Sequence, residues 1–160
     1  MTALSPHVDP AIDTLVPCRC CGIVNVDPAF LDAFEHLRFL ADEPILFDCL
    51  CRCPRHNAEV KGAPRSEHLT TAIRAARAGD IRALHLPLTK LYYLALRVPA
   101  FDRGGIGLYP DSRFLHVDVR DDGPARWGEL AGRRKVELLA ALEIQLARES
   151  AIAGKPAREA

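Results

Sequence analysis

The stretch Phe114–Arg120 carries residue types that could do chemistry, and it carries them in alternation. Side chains of an extended strand point to opposite faces in turn, so His116, Asp118 and Arg120 share one face. The Leu and Val residues between them share the other face, which predicts a core. An imidazole, a carboxylate and a guanidinium are costly to bury unpaired. Two interpretations stay open: an exposed strand face with a His–Asp contact, or part of a site.

Six cysteines fall into two groups, 18–21 and 49–53, separated by a helix-length gap. Cys18 and Cys21 have the spacing of a metal knuckle, and the second group shares one face if its segment is extended. One hypothesis is a structural zinc or disulfides at Cys18, Cys21, Cys51 and Cys53. Buried free thiols are an equally consistent alternative, since thiols in the cytosol stay reduced.

Periodicity and chain breakers place these residues on predicted elements. Helices are predicted over residues 28–41, 70–78, 87–98 and 133–149. Strands are predicted over residues 44–49, 80–84, 104–109 and 114–120, the last two as a hairpin. The segment between Arg52 and Thr70 is rich in Pro, Gly, Arg and His, which is typical of a loop that carries function. Trp127 is predicted to cover the core.

Composition limits the classes of function. The 160 residues match one domain, and 21 basic residues balance 21 acidic ones. Without a net positive field we expect no nucleic-acid partner. No apolar run approaches the about 20 residues of a membrane span. The first residues also lack the pattern of a signal peptide, so we expect a protein that is cytoplasmic as synthesised.

Four stretches and one residue together resemble a known family: Arg52–Asn57, Gly62–Thr70, Gly104–Pro110, Phe114–Arg120 and Trp127. The family is that of the zinc D-alanyl-D-alanine carboxypeptidases and related phage endolysins, which share a fold with the hedgehog signalling domain. The resemblance implies an α+β domain with a small antiparallel sheet flanked by helices, followed here by a C-terminal helix. It also implies a catalytic Zn²⁺ and cleavage of peptide bonds in peptidoglycan.

The resemblance also suggests how the chain is divided. Residues 17–128 form the zinc peptidase-like domain, residues 1–16 an N-terminal arm, and residues 129–160 a C-terminal helix with a frayed tail after Ala151. The oligomeric state stays open.

Carried over residue by residue, the resemblance makes His68 and His116 the first and last zinc ligands. The family places an Asp seven residues after the first His, but Ala75 stands at that position. The segment Arg77–Ile81 is similar to the family's Arg-Ala-Ala-Asp-Ile segment displaced by five residues, so Asp80 is the predicted middle ligand. A longer intervening loop costs little in chain entropy. If the insertion moves Asp80 away, only two ligands remain.

The resemblance implies chemistry by metal-activated water, whose pKa zinc lowers towards about 7. A carboxylate must then move the proton, and Asp118 is the predicted one because it shares a strand face with His116. Alternatively, Asp118 only orients His116 or pairs with Arg120. Asp111 is a weaker candidate for the proton carrier.

Two further residues are predicted to contact substrate. Arg52 resembles the family's arginine and would hold a substrate carboxylate or the developing oxyanion. Ser66, two residues before the first ligand, would also touch substrate. The chain departs from the family pattern at Cys49-Leu50, where Ser-Gly is common, and at Lys61, where a second glycine is common.

Two functions of different classes follow from the sequence. The first is a zinc peptidase acting on peptidoglycan stem peptides, such as a phage or prophage endolysin released by a holin-type route. The second is a catalytically degenerate relative that binds cell-wall peptide or a protein partner without cleaving it. A third interpretation, a redox or zinc-knuckle module built on the cysteines, gives no reason for the motifs around His68 and His116.

Overall fold

The protein is described by a computed structural model covering residues 2–153. In chain order its elements are α1 (Pro28–Ala41), β1 (Ile45–Cys49), α2 (Pro54–Glu59), β2 (Ala78–Ala83), α3 (Leu88–Ala95), α4 (Pro99–Arg103), β3 (Gly105–Tyr109), β4 (Phe114–Asp118), β5 (Ala125–Leu130), β6 (Arg134–Val136) and α5 (Leu138–Ala153). The strands form one sheet in the order β1-β2-β4-β3-β5-β6. Neighbouring strands are antiparallel except β3 and β5, which are parallel. The predicted α+β class with a C-terminal helix is confirmed.

Helix α1 begins where the sequence predicts and supplies much of the core. The Asp27 side chain accepts a hydrogen bond from the backbone N–H of Ala29, and Pro28 occupies the first turn, where no N–H is needed. Phe30, Phe34 and Leu37 recur at helical spacing and are fully buried. Each such side chain contributes roughly 1.5–3 kcal/mol by leaving water. The helix therefore fixes the face of the sheet against which the core packs.

Strand β4 shows the alternation expected of it. Leu115 and Val117 are fully buried in the hydrophobic core, on the face that α3 covers. The side chains of His116 and Asp118 leave the opposite face and are hydrogen-bonded to each other. The two faces of one strand therefore separate the packing of the domain from its polar chemistry.

Residues 70–78 do not form the predicted helix. The backbone N–H of Ala76 donates to Asn25 and that of Arg77 donates to Glu67, so both groups are already paired outside a helix. Residues 71–74 form only a turn, which is closed by a hydrogen bond from Thr71 N–H to the carbonyl of Arg74. The helical propensity of the alanines is a weaker determinant than these long-range hydrogen bonds.

The segment before α1 and helix α5 pack onto the rest of the fold. Val8 and Val16 are fully buried, and the carbonyl of Val16 accepts a hydrogen bond from Cys51 N–H. The last helix begins five residues later than predicted, because residues 134–136 pair with β5 as β6. Helix α5 reaches Ala153, and the remainder of the predicted frayed tail lies outside the described residues. Within residues 2–153, no helix has the length and apolar character needed to cross a bilayer.

Strand β2 contains a glycine whose lack of a side chain the core requires. A Cβ on Gly79 would lie 2.8 Å from Phe30 Cζ and 3.0 Å from Phe47 Cε1. We expect Gly79→Ala to lower the free energy of unfolding by about 1–3 kcal/mol, because overpacked side chains must leave their rotamers. Urea unfolding measures the loss. The control is Arg82→Ala on the same strand, whose half-exposed side chain makes only a surface ion pair with Asp48. Equal losses in the two variants would contradict tight packing at Gly79.

Candidate metal centre

Strand register places a row of side chains across the sheet. Asp80 on β2 pairs directly with His116 on β4, which pairs on its other side with Gly107 on β3. Gly107 in turn pairs with Trp127 on β5, and Cys49 on β1 pairs with Asp80. Residues directly opposite one another in antiparallel strands project to the same face. The register therefore brings a carboxylate and an imidazole together from segments far apart in sequence.

His68 reaches this row from a loop whose backbone is fixed at both ends. Its carbonyl accepts a hydrogen bond from Arg52 N–H at 2.9 Å, and Thr70 N–H donates to the Arg52 carbonyl at 2.9 Å. Beyond the turn, Arg77 N–H donates to the Glu67 carbonyl at 2.7 Å. The extra residues therefore form a turn whose two ends lie close together. The twelve-residue spacing does not separate His68 from Asp80.

The three predicted ligands converge. Asp80 Oδ1 lies 3.1 Å from His68 Nε2 and 2.9 Å from His116 Nδ1, and the two ring nitrogens are 3.2 Å apart. A tetrahedral metal with bonds of about 2.0–2.1 Å keeps its ligand atoms roughly 3.3 Å apart. The mutual distances of the three atoms therefore fit one face of a zinc tetrahedron, and nitrogen and carboxylate oxygen are donors that zinc accepts.

Outer hydrogen bonds fix which ring nitrogen faces the centre. His68 Nδ1 lies 2.9 Å from the carbonyl oxygen of Leu50, which can only accept, so Nδ1 carries a proton and Nε2 is directed inward. His116 Nε2 lies 3.0 Å from Asp118 Oδ2, which leaves its Nδ1 for the centre. Such outer partners orient metal-binding histidines and set their tautomer.

The electrostatics of the cluster favour one added positive charge. Burial lowers the pKa of His68, so this ring is neutral. Burial also opposes protonation of His116, but hydrogen bonds to Asp118 and Asp80 outweigh it and raise the pKa of His116 to about 9. Although burial opposes the ionised form of Asp80, its histidine neighbours lower the pKa of this carboxyl. A proton or a divalent cation satisfies the same converging lone pairs.

The carboxylate of Asp118 lies behind His116 and is fully buried. Its Oδ1 accepts from Gly105 N–H at 2.8 Å, and its Oδ2 accepts from Arg120 Nη2 at 2.6 Å as well as from His116. Burial opposes ionisation, but these Arg120 and His116 contacts lower the pKa of Asp118. The geometry therefore matches the alternative in which this carboxylate orients the imidazole. Asp111 lies elsewhere, accepting from Ala131 N–H beyond the cleft.

The three predicted ligands lie in the lining of a cleft of about 870 Å³. One wall is aromatic: Tyr109 and Phe114 stack with ring centroids 4.3 Å apart, and Trp127 Nε1 donates to the Tyr109 hydroxyl. The Trp127 ring centroid is 5.2 Å from that of His116. A Cβ on Gly107 would lie 2.3 Å from the indole, so only glycine lets it lie flat on the sheet. Trp127 therefore lines the cleft, whereas the sequence predicted a cover over the core.

Arg52 and Ser66 both line the cleft, where substrate contacts were predicted. Arg52 Nη2 lies 3.9 Å from Asp80 Oδ2, and Arg52 Nε is buried without a hydrogen-bond partner among the described residues. A guanidinium with an unpaired buried donor beside the ligands is suited to bind an oxygen of a substrate. Ser66 Oγ accepts from His68 N–H at 3.3 Å and so helps to shape the ligand loop.

Cys49 is a neighbour of the centre that sequence reasoning did not identify. Its sulfur lies within 4.8 Å of ligand atoms of both His68 and Asp80. Burial raises the pKa of Cys49 to about 12, so the thiol is neutral. The sequence did contain an indication of this position, since Cys49 ends the predicted strand that precedes the loop between Arg52 and Thr70. Only the pairing of β1 with β2 shows that this cysteine reaches the row.

The remaining cysteines separate into a cluster and one outlier. The sulfurs of Cys18, Cys20, Cys21 and Cys53 lie within 4.8 Å of one another. Cys51, which the sequence hypothesis included, instead lies 4.0 Å from the carbonyl of Asn25. Cys20 takes its place in the set. The periodicity argument failed here because strand β1 ends at Cys49 and Cys53 is the residue that caps α2, so the three cysteines do not lie on one strand.

A family model described as Peptidase M15 matches residues 12–118, which is more than half of the chain. The chain belongs to the peptidase M15 family. The matched range contains the three converging side chains at positions 68, 80 and 116. Membership in this family indicates a peptidase, and peptidases of this family typically depend on zinc, which agrees with the donor set. The comparisons with curated proteins and with solved structures found no match.

The hydrogen bonds at the two ends of the turn that contains residues 71–75 give a first prediction for the candidate metal centre. Removal of residues 71–75 restores the family spacing of seven between His68 and Asp80. We expect this M15 variant to bind zinc at the centre with unchanged stoichiometry, because the Arg77–Glu67 hydrogen bond already closes the loop. Metal analysis after dialysis against zinc measures it. A deletion that folds by circular dichroism but binds no zinc at the centre would contradict the proposal that the turn is dispensable.

The position of Asp118 gives a second prediction. We expect Asp118→Asn to weaken zinc binding by about 10–100-fold, as the loss of an outer-shell carboxylate does elsewhere. Competition with a chromogenic chelator measures the affinity. The matched control is Asp111→Asn, which lies outside the cleft and should keep the parent affinity. Unchanged zinc affinity with a large loss of kcat would instead identify Asp118 as the proton carrier.

Proposed function

We propose that this M15 protein is a zinc-dependent peptidase that hydrolyses amide bonds in peptidoglycan stem peptides, as a D,D-carboxypeptidase or an endolysin-type endopeptidase. The observation that carries the proposal is the convergence of His68, Asp80 and His116 on one point in the lining of a wide cleft. Structural zinc sites are closed by four protein ligands, whereas catalytic ones leave a position for water and substrate. Three ligands facing a cleft match the catalytic type.

The charges of the cleft support an anionic peptide as substrate. Seven cationic side chains line it, against four carboxylates including that of Asp80: Arg52, Lys61, Arg65, Arg74, Arg120, Arg133 and Lys135. Cell-wall stem peptides carry free carboxylates, and guanidinium groups bind carboxylates bidentately. The chain as a whole has no net charge, so the excess of positive charge is local to the cleft. Electrostatic attraction would draw an acidic peptide towards the centre.

The protein's side chains divide the remaining tasks. When bound, zinc lowers the pKa of a coordinated water towards about 7 and polarises a carbonyl. Arg52 is placed to hold a substrate carboxylate or the oxygen that becomes charged during attack. The aromatic wall excludes water from one side and orients the peptide. His68 and His116 are held in the productive tautomer by Leu50 and Asp118.

Proton transfer requires a carboxylate that reaches the substrate. Asp118 was predicted for this role, and it contacts His116 from behind. The carboxylates that line the cleft besides Asp80 are those of Glu67, Asp122 and Glu129. Glu129 follows Trp127 by two residues on β5, so the strand period directs both to the cleft face. We therefore propose Glu129 as a second candidate, to be compared directly with Asp118.

A second candidate function is binding of cell-wall peptide without cleavage. The observation that favours it is the enclosure of Asp118 by Arg120 and Gly105, which leaves the predicted proton carrier without access to substrate. A protein of this kind would bind zinc and an acidic peptide but would not cleave the peptide. Its ligand chemistry is the same, so binding assays alone do not separate the two functions.

Hydrolysis of purified peptidoglycan and of synthetic stem peptides, analysed by mass spectrometry, tests the proposal. The parent protein with zinc should release D-alanine or cross-linked fragments. The His68→Ala variant should lose at least about 10³-fold in rate together with the zinc at the centre, as expected when a metal ligand is removed. His36→Ala, an exposed histidine outside the cleft, should behave as the parent. Stoichiometric zinc and peptide binding without any product would favour the binding function.

Two carboxamide variants assign the proton carrier. Glu129→Gln should lower kcat by about 10²–10⁴-fold with zinc affinity unchanged if Glu129 transfers the proton. Asp118→Asn should then act mainly through zinc affinity, and saturating zinc should restore much of its rate. The pH dependence of kcat/KM would lose one limb only in the variant of the true proton carrier. Full activity of Glu129→Gln would exclude Glu129.

The role of Arg52 can be measured separately. We expect Arg52→Lys to lower kcat/KM by about 10²-fold or more, because a lysine cannot donate bidentately to a carboxylate or oxyanion. Steady-state kinetics on a stem peptide measures the change, and Arg65→Lys at the cleft edge serves as control. If Arg52→Lys lowers kcat/KM equally for peptides with a free C-terminus and for peptides with an amidated one, Arg52 does not bind the terminal carboxylate.

A further inference from the structure

A second group of donors lies apart from the cleft, where the N-terminal segment meets the start of α2. Cys18, Cys20 and Cys21 come from one tight turn, and Cys53 is the residue that caps α2. Their four sulfurs lie within 4.8 Å of one another. Cys20 and Cys53 are only partly buried against the core, and Cys21 is exposed. The packing of the core therefore accounts for Cys18 but not for the position of the Cys21 sulfur.

The turn that carries three of the sulfurs has the shape of a metal knuckle. The backbone N–H groups of Cys21 and Gly22 both donate to the carbonyl of Cys18, at 3.3 and 2.8 Å. Gly22 has a φ of 70°, a conformation that glycine adopts without strain. In this turn the sulfurs of Cys18, Cys20 and Cys21 lie within 4.8 Å of one another.

Backbone N–H groups are directed at two of the sulfurs. Cys53 N–H donates to Cys18 Sγ at 3.3 Å, and His56 N–H donates to Cys53 Sγ at 3.4 Å. His56 Nδ1 lies 3.5 Å from Cys18 Sγ. Hydrogen bonds of this kind stabilise thiolates, which are the form of cysteine that binds metal. The cluster thus has both its donors and the polar groups that would support them.

The sulfur separations are nearer to those of a tetrahedral thiolate site than to the length of a disulfide bond. Zinc–sulfur bonds of about 2.3 Å keep sulfurs roughly 3.8 Å apart. Cys18 Sγ and Cys20 Sγ are 3.7 Å apart, and Cys20 Sγ and Cys53 Sγ are 3.1 Å apart. A disulfide would need about 2.05 Å. All four cysteines are free thiols in this structure.

We propose that Cys18, Cys20, Cys21 and Cys53 bind a second, structural Zn²⁺, with His56 as a hydrogen-bonding neighbour. Four protein ligands leave no position for water, so this ion takes no part in hydrolysis. Each thiol that binds releases its proton to solvent. The ion would tie the segment before α1 to Cys53, the residue next to Arg52 in the chain, and so hold the backbone that presents Arg52 to the cleft.

Metal analysis of the full chain with its thiols reduced tests the proposal. The parent should hold two zinc ions per chain, and His68→Ala should hold one. The double variant Cys20→Ser/Cys53→Ser should also hold one, and Cys51→Ala, a buried cysteine outside the cluster, should keep two. Two ions in the double variant would overturn the proposal. If His68→Ala keeps both ions, the proposed function fails and the cysteine site stands only if the double variant loses one.

A second measurement does not depend on whether the cysteine variants fold. Cobalt bound to the His68→Ala protein should show the intense near-ultraviolet bands of thiolate-to-metal charge transfer. In the parent with zinc, a thiol reagent should react with these four cysteines only after a chelator is added. Reaction without chelator would overturn the proposal. A mass lower by two hydrogens, with thiols released by reductant and not by chelator, would show a disulfide and overturn it as well.

Discussion

The direct pairing of Asp80 with His116 across β2 and β4 is the constraint on which the rest of the site depends. Antiparallel register alternates faces with a period of two, so a slip of one residue would send the carboxylate into the core. Gly79 and Val117, the neighbouring pair, lie on the core side, Gly79 against Phe30 of α1 and Val117 within the hydrophobic core, and fix that register by packing. The same hydrophobic contacts that stabilise the sheet therefore decide whether the ligands meet.

The centre also depends on a layer of hydrogen bonds behind the ligands. Asp118 accepts from Arg120, from Gly105 N–H and from His116, so a fully buried carboxylate has every oxygen paired. Removing one member of such a network leaves a buried charge without its partner, which is strongly destabilising. The polar row predicted for β4 is thus neither an exposed surface nor a set of independent catalytic groups. It is one connected unit that faces the cleft at His116 and Arg120, with Asp118 enclosed between them.

The departures from the family pattern have physical explanations in the structure. Leu50, in place of a glycine, is fully buried and contributes its carbonyl oxygen to His68, a contact that any residue type can make. Lys61 has a φ of 52°, a conformation that glycine adopts more easily. Arg133 donates to the carbonyls of Val60 and Lys61, which helps to hold that backbone in place. Hydrogen bonds therefore involve or support the backbone at both positions where the family pattern has glycine.

The sequence alone determined the features that follow from local period and from motif. The helix at 28–41 and the two faces of β4 could be read from local period, and the family and the two candidate histidine ligands from motifs, because each depends on neighbours within a few residues. The resemblance suggested Asp80, but whether it arrives beside His68 depended on how the chain closes a twelve-residue gap. Only tertiary structure decided this, through the Arg77–Glu67 hydrogen bond and the pairing of β2 with β4.

The same holds for Asp118, whose strand face was predictable, while its enclosure by Arg120 and Gly105 was not. Cys20, and not Cys51, belongs to the sulfur cluster for a similar reason. The chain changes from strand to helix between Cys49 and Pro54, and packing between segments distant in sequence sets where the side chains in between point.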